Sequence, residues 1–96
     1  MISFTSLLWV WKGEAASSWH FVTVPEEQAT EVKAEALAGP RGFGSVRVEA
    51  RIGAVSWRTS VFPLKGGGYL LPVKASVRKE AELAVCDPVA VELEVI

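Results

Sequence analysis

Along residues 45–64, SVRVEARIGAVSWRTSVFPL, apolar and polar positions alternate on both sides of a glycine. Alternation with a period of two is the mark of a strand with one buried face. Gly53-Ala54 places glycine at the first central position of a two-residue type II′ turn, whose twist matches that of the flanking strands. The turn predicts a register in which Ile52 faces Val55, Arg51 Ser56, Ala50 Trp57, Glu49 Arg58, Val48 Thr59, Arg47 Ser60 and Val46 Val61. One face then collects Val46, Val48, Ala50, Ile52, Val55, Trp57, Thr59 and Val61. The other collects Arg47, Glu49, Arg51, Ser56, Arg58 and Ser60. A slip of one residue would turn the apolar set of one strand to water.

The same reading predicts four more strands. Residues 3 to 11 carry Phe4, Ser6, Leu8 and Val10 on one side and Thr5, Leu7, Trp9 and Trp11 on the other. Both sides are largely apolar, so this strand is expected to be covered on both faces or to sit at a barrel seam. A polar turn from Lys12-Gly13-Glu14 to Ser18 leads to a returning strand, Trp19 to Val24. Tyr69-Leu70-Leu71 reads as a strand stub after the Lys65-Gly66-Gly67-Gly68 loop, and Val89, Val91, Leu93 and Val95 alternate in a closing strand after an Asp87-Pro88 turn.

Two segments switch to helical spacing. Pro25 suits the first position of a helix, Glu26 and Glu27 favour its positive end, and Ala29, Val32, Ala36 and Leu37 form a narrow apolar stripe that Gly39-Pro40 ends. After Pro72, the residues Val73, Val77, Ala81 and Ala84 predict a second short helix, with Lys74, Arg78 and Glu82 stacked at i, i+4 on another face. Six strands with two short helices suit a small barrel, which removes sheet edges.

At 96 residues and 50% hydrophobic content the chain is expected to form one domain, 1–96, with no interdomain cleft. The net charge of −1 is uninformative, but its distribution is not. From Arg41 to Lys79 stand eight basic residues against one acid, Glu49, a candidate anion-facing side. The single cysteine, Cys86, allows no internal disulfide and fits a reducing, cytoplasmic setting. The apolar start, MISFTSLLWVW, lacks a basic leader region and reads as a strand, and no run approaches the ~20 apolar residues of a membrane span.

The segments WHFVTVP, IGAVSWRTSVFPLKGGGYLLPVKASVRKEAEL and DPVAVELEV resemble DUF1905, a family of small bacterial domains of unknown function, across nearly the whole chain. The pattern comprises Trp19 and Pro25; Arg58, Thr59 and Ser60; Gly66, Gly67 and Gly68; Pro72, Lys74 and Arg78; and Asp87. The resemblance implies a closed six-stranded Greek-key barrel and implies no activity. Two positions depart from it. Cys86 stands where the family favours glycine, an unfavourable residue if the turn needs positive φ, and Gly53-Ala54 replaces the usual Asp-Gly hairpin tip.

Candidate chemistry is sparse. His20 and Cys86 form the one conceivable nucleophile pair, without a visible orienting group, and they are too few to hold a metal. Lys65-Gly66-Gly67-Gly68 lacks the spacing of a phosphate-binding Walker loop and reads as a flexible turn. Of the basic residues Arg47, Arg51, Arg58, Lys74 and Arg78, the expectation is that Arg58, Lys74 and Arg78, with Thr59, converge near Trp19 and bind an anionic small molecule or phosphate. The plainer account is a solvated strand face in which Glu49 pairs with Arg58.

A nucleic-acid reading would add Trp57, Tyr69 and Phe43 as stacking groups. LLPVKASVRKEAELAVCDPVAVELEV also looks like the swapped-hairpin half of AbrB-type DNA-binding proteins, which would require a dimer. Trp9 and Trp57 are expected in the core and Trp19 half exposed. The expectation is thus a mainly β, non-enzymatic binding domain, monomeric or weakly dimeric, without metal, cofactor or membrane contact. A DNA-associated dimer is the alternative, and an enzyme comes third.

Overall fold

The computed structural model describes residues 1–12, 18–37 and 44–96. The expected turn at Gly13-Glu14, the helix stop at Gly39-Pro40, Arg41 at the start of the basic stretch, and the stacking group Phe43 lie outside the described residues. The elements are β1 (Ile2–Lys12), β2 (Ser18–Val24), α1 (Glu26–Leu37), β3 (Val46–Ile52), β4 (Val55–Pro63), β5 (Tyr69–Pro72), α2 (Ala75–Glu80) and β6 (Pro88–Val95).

The six strands close into an antiparallel barrel in the order β1-β2-β5-β4-β3-β6. Three consecutive strands, β3, β4 and β5, pair in sequence, and β6 returns after α2 to lie between β3 and β1. The resulting order, 6-3-4-5, is a Greek key. The fold is therefore the mainly β, six-stranded barrel with two short helices that the strand pattern and the family resemblance imply.

The central hairpin has the expected register at every position, from Ile52↔Val55 out to Val46↔Val61. Gly53 has φ 60° and Ala54 is not in the positive-φ region, as a II′ turn requires and a I′ turn does not. Val46, Val48, Ala50, Ile52, Trp57 and Val61 are buried, while Arg47, Arg51, Ser56 and Arg58 are exposed.

The inward faces of all six strands meet in one core that includes Leu8, Val22, Val48, Val61, Leu71, Val91 and Leu93. Helix α1 lies against β1 and β6 through Ala29, Val32 and Ala36. Leu37, expected on that stripe, is 55% exposed, because the stripe follows a 3.6-residue period and Leu37 falls beside it. Pro25 stands one position earlier than expected: its carbonyl accepts the Ala29 N–H at 2.8 Å, so it precedes the first helical residue, Glu26. No helix in the described residues is long and apolar enough to cross a membrane.

Three further expectations are corrected. Of the two alternatives for β1, coverage on both faces fails, since Leu7 and Trp11 are more than half exposed, while the place at a seam holds: its first half pairs with β6 and its second half with β2. Trp9 is not core but lies half-buried on the outer wall, against Phe21. Helix α2 is shorter than its apolar spacing suggests, since Glu82, at φ 54°, ends it. The Leu83 N–H bonds back to the Arg78 carbonyl and the Glu82 N–H to that of Lys79, the pair of bonds of a Schellman cap. Glutamate occupies the position where glycine usually announces such a stop, so the i, i+4 alignment of Arg78 with Glu82 does not form.

Candidate functional site

A cleft opens in the barrel wall because β4 is long and β5 is short. In a two-residue hairpin the pair flanking the turn is hydrogen-bonded and the pairs alternate outward. Val55, Trp57, Thr59 and Val61 therefore turn their backbone groups toward β3, and Ser56, Arg58 and Ser60 turn theirs to the opposite edge. On that edge β5 pairs only with Phe62 and Pro63. Beyond Pro72 the chain leaves the sheet for α2, whose buried Val77 anchors it to the barrel.

The space between this open edge, the start of β2 and α2 is a cleft of about 340 Å³. Trp19 and His20 line it from β2, Arg58 and Thr59 from β4, and Lys74 and Arg78 from the entry and body of α2. All five residues expected to converge do so. Arg47 and Arg51, the remaining members of the basic set, do not: Arg51 lies on another part of the wall, 3.9 Å from Glu92 across β3 and β6. Among the described residues no carboxylate lines the cleft, so the cations set the potential of the part they surround.

Arg78 is held in place rather than free. Its Nε donates to the Val73 carbonyl at 3.3 Å, and its Nη1 lies 3.3 Å from His20 Nε2. A guanidinium has only donors, so Nε2 accepts and His20 is neutral, with its proton on Nδ1. The pKa of His20 is correspondingly lowered, first by desolvation and then by the Arg78 charge. The backbone couples the same elements, since the Val73 N–H bonds to the His20 carbonyl at 2.9 Å. The remaining N–H groups of Arg78 meet no acceptor among the described residues.

Arg58 is less constrained. It sits opposite Glu49, with Nε 3.5 Å from Oε1, as the solvated-face account expects. The Arg58 side chain is 69% exposed, so this pair is worth at most ~1 kcal/mol and the guanidinium remains free to turn into the cleft. His20 is the residue that sequence reasoning undervalued, having entered only as one half of a pair with Cys86. Cys86 is not on the cleft: its N–H bonds to the Leu8 carbonyl of β1, and its side chain is exposed.

The glycine run takes no part. Gly66, Gly67 and Gly68 all have positive φ and form the tight link from β4 to β5, closed by Leu64 N–H to Gly68 carbonyl at 2.9 Å. Three consecutive positive φ values are what glycine alone tolerates, a structural reason for the run. Trp57 and Tyr69 are buried and cannot stack on bases. Among the described residues no group of three or more His, Cys, Asp or Glu is placed to hold a metal ion.

A family model described as a domain of unknown function, DUF1905, matches residues 4–93. No curated protein matches the chain.

Proposed function

The chain belongs to the DUF1905 family, to which no activity is attached, and from that premise we propose that this barrel is a non-enzymatic binding domain whose cleft takes a small anionic ligand or phosphate. The observation that carries the reading is the convergence of three cations from two separate elements, Arg58, Lys74 and Arg78, on one cleft that no carboxylate among the described residues lines. Charge-assisted hydrogen bonds from such donors are the strong kind. Thr59 adds a hydroxyl, and Trp19 an aromatic wall. Arg78 presents its remaining N–H groups from a fixed position, which lowers the ordering cost of binding.

The reading is preferred to a DNA-associated dimer for two reasons. The barrel closes within one chain, so no exchanged strand is needed to satisfy its edges. Of the three aromatic groups named for base stacking, Trp57 and Tyr69 are buried and Phe43 lies outside the described residues.

Titration with inorganic phosphate, nucleotides and short carboxylic acids, followed by amide and side-chain NMR, tests the proposal. Shifts are expected at Arg58, Lys74, Arg78 and the Trp19 indole N–H. Lys74→Gln should weaken binding about 3- to 10-fold, an exposed charge-assisted contact being worth less than a buried one. Glu49→Gln should strengthen it, by removing the carboxylate that competes for Arg58. Absence of shifts at Arg58 and Lys74 with every anion would refute the reading, and retention of duplex DNA at moderate salt would favour the alternative.

A further inference from the structure

The outer wall next to the cleft is aromatic where a barrel exterior is ordinarily polar. Trp9 and Trp11 from β1, Trp19 and Phe21 from β2, Phe62 from β4 and Leu70 from β5 line a groove of about 450 Å³, with no ionisable group among its described lining residues. Trp11, Trp19 and Phe62 are each about half exposed, at 52%, 55% and 46%. The groove is ordered: Trp19 stacks on Phe21 at 6.4 Å and 9°, and Phe21 packs on Trp9 at 5.2 Å. Trp9 spends its indole N–H on Thr23 Oγ1 at 2.9 Å, so its ring offers only apolar contact. Contiguous exposed apolar surface of this kind marks a binding region.

Trp19 belongs to both features, forming one wall of the cationic cleft and one end of the aromatic groove. From this shared residue, and resting on the anion-binding reading above, we infer that the ligand is an amphipathic organic anion. Its phosphate or carboxylate head enters the cleft at Arg58, Lys74 and Arg78, and its flat apolar body crosses Trp19 onto Phe21 and Trp11. Charge complementarity selects this occupant: a wholly apolar molecule would leave the cations unused, and a bare anion would leave the groove wet. Ring faces stacking on Trp19 and Phe21 favour an aromatic body over a flexible chain.

Inorganic phosphate, phenyl phosphate and 2-naphthyl phosphate, each titrated by NMR, form the test, with naphthalene-2-methanol as a probe that has the body without the charge. Affinity is expected to rise about tenfold or more from phosphate to naphthyl phosphate, with shifts spreading from Lys74 and Arg78 to the Trp11 and Trp19 indoles. The double variant Trp11→Ser/Phe62→Ser, altered only at exposed positions, should lose most of that gain while binding phosphate as before, its dispersed spectrum showing that it is folded. Lys74→Gln should weaken phosphate and naphthyl phosphate by the same factor.

Equal affinity across the series, with phosphate bound, would overturn the inference and leave the anion site standing. If no anion binds, both fall. Binding of the neutral alcohol as tightly as naphthyl phosphate, or concentration-dependent dimerisation that broadens the groove signals and is abolished by Trp11→Ser/Phe62→Ser, would overturn it in favour of a plain apolar surface or a second copy of the chain.

Discussion

Replacing Cys86 by glycine should stabilise this protein. Cys86 adopts φ 75°, a left-handed conformation that costs an L-residue ~1–2 kcal/mol. The conformation is imposed from outside. The Cys86 N–H bonds to the Leu8 carbonyl at 2.7 Å and the Leu8 N–H to the Asp87 carbonyl at 3.0 Å, so the turn is pinned to β1 on both sides. Asp87 Oδ2 accepts the Ala84 N–H at 2.8 Å and fixes the other flank. The thiol is exposed, so its removal forfeits little packing.

Against the relieved strain stands the greater entropy of glycine in the unfolded chain, ~0.5–1 kcal/mol. Midpoint against midpoint, a net gain of about 0.75 kcal/mol remains, or roughly 3–6 °C in Tm for a domain of this size. Thermal and urea unfolding of the wild type, Cys86→Gly and Cys86→Ala, all in reductant, measures it. Cys86→Ala is the control, because alanine loses the thiol and keeps the strain; it should match the wild type within ~0.5 kcal/mol. A glycine variant no more stable than the alanine variant would refute the reasoning.

Three other outcomes follow from the same coordinates. Glu82→Gly, at the Schellman cap with φ 54°, should add a similar gain by relieving the same conformation. Because the His20 pKa is lowered from 6.5, the unfolded chain holds that proton more tightly; the contribution of His20 to stability is complete above about pH 6.5 and is lost as pH falls from there through the lower folded-state value. Urea midpoints between pH 7.5 and 5.5 should show this decline, and His20→Gln should remove that part of it. In hydrogen exchange, the amides of Ser56, Arg58 and Ser60 on the open edge of β4 should exchange faster than those of Trp57, Thr59 and Val61, which bond to β3; uniform protection along the strand would mean that the edge is covered.

Much of the architecture was written locally. The hairpin register over residues 46–61 follows from alternation and one glycine, both readable within a twenty-residue window, and the six strands from the same period-two signal. The helix stop at Glu82 was not legible, because the residue that ordinarily marks it, glycine, is absent and the left-handed turn is enforced by the cap hydrogen bonds. The outer wall of β1 was misread for a related reason. Periodicity reports which positions are apolar, not which of two apolar faces is turned inward, and here Phe4 and Leu8 took the core while Trp9 and Trp11 took the surface.

The five cleft residues were legible as residue types, Arg58, Thr59, Lys74 and Arg78 within the basic stretch and Trp19 outside it, but their meeting place was not. Residues 20 and 78 are 58 positions apart in sequence, and the contact of Arg78 with His20 exists only because β5 ends at Pro72 and sends α2 back across the open edge of β4. Sequence alone determined the strands, the faces of those with a single apolar side, and the central register, since these rest on hydrogen bonding and burial between neighbours. Tertiary structure alone decided the cleft, the neutral state of His20 and the aromatic groove beside it, because each depends on barrel closure bringing distant strands to a common side and on which groups that closure leaves in water.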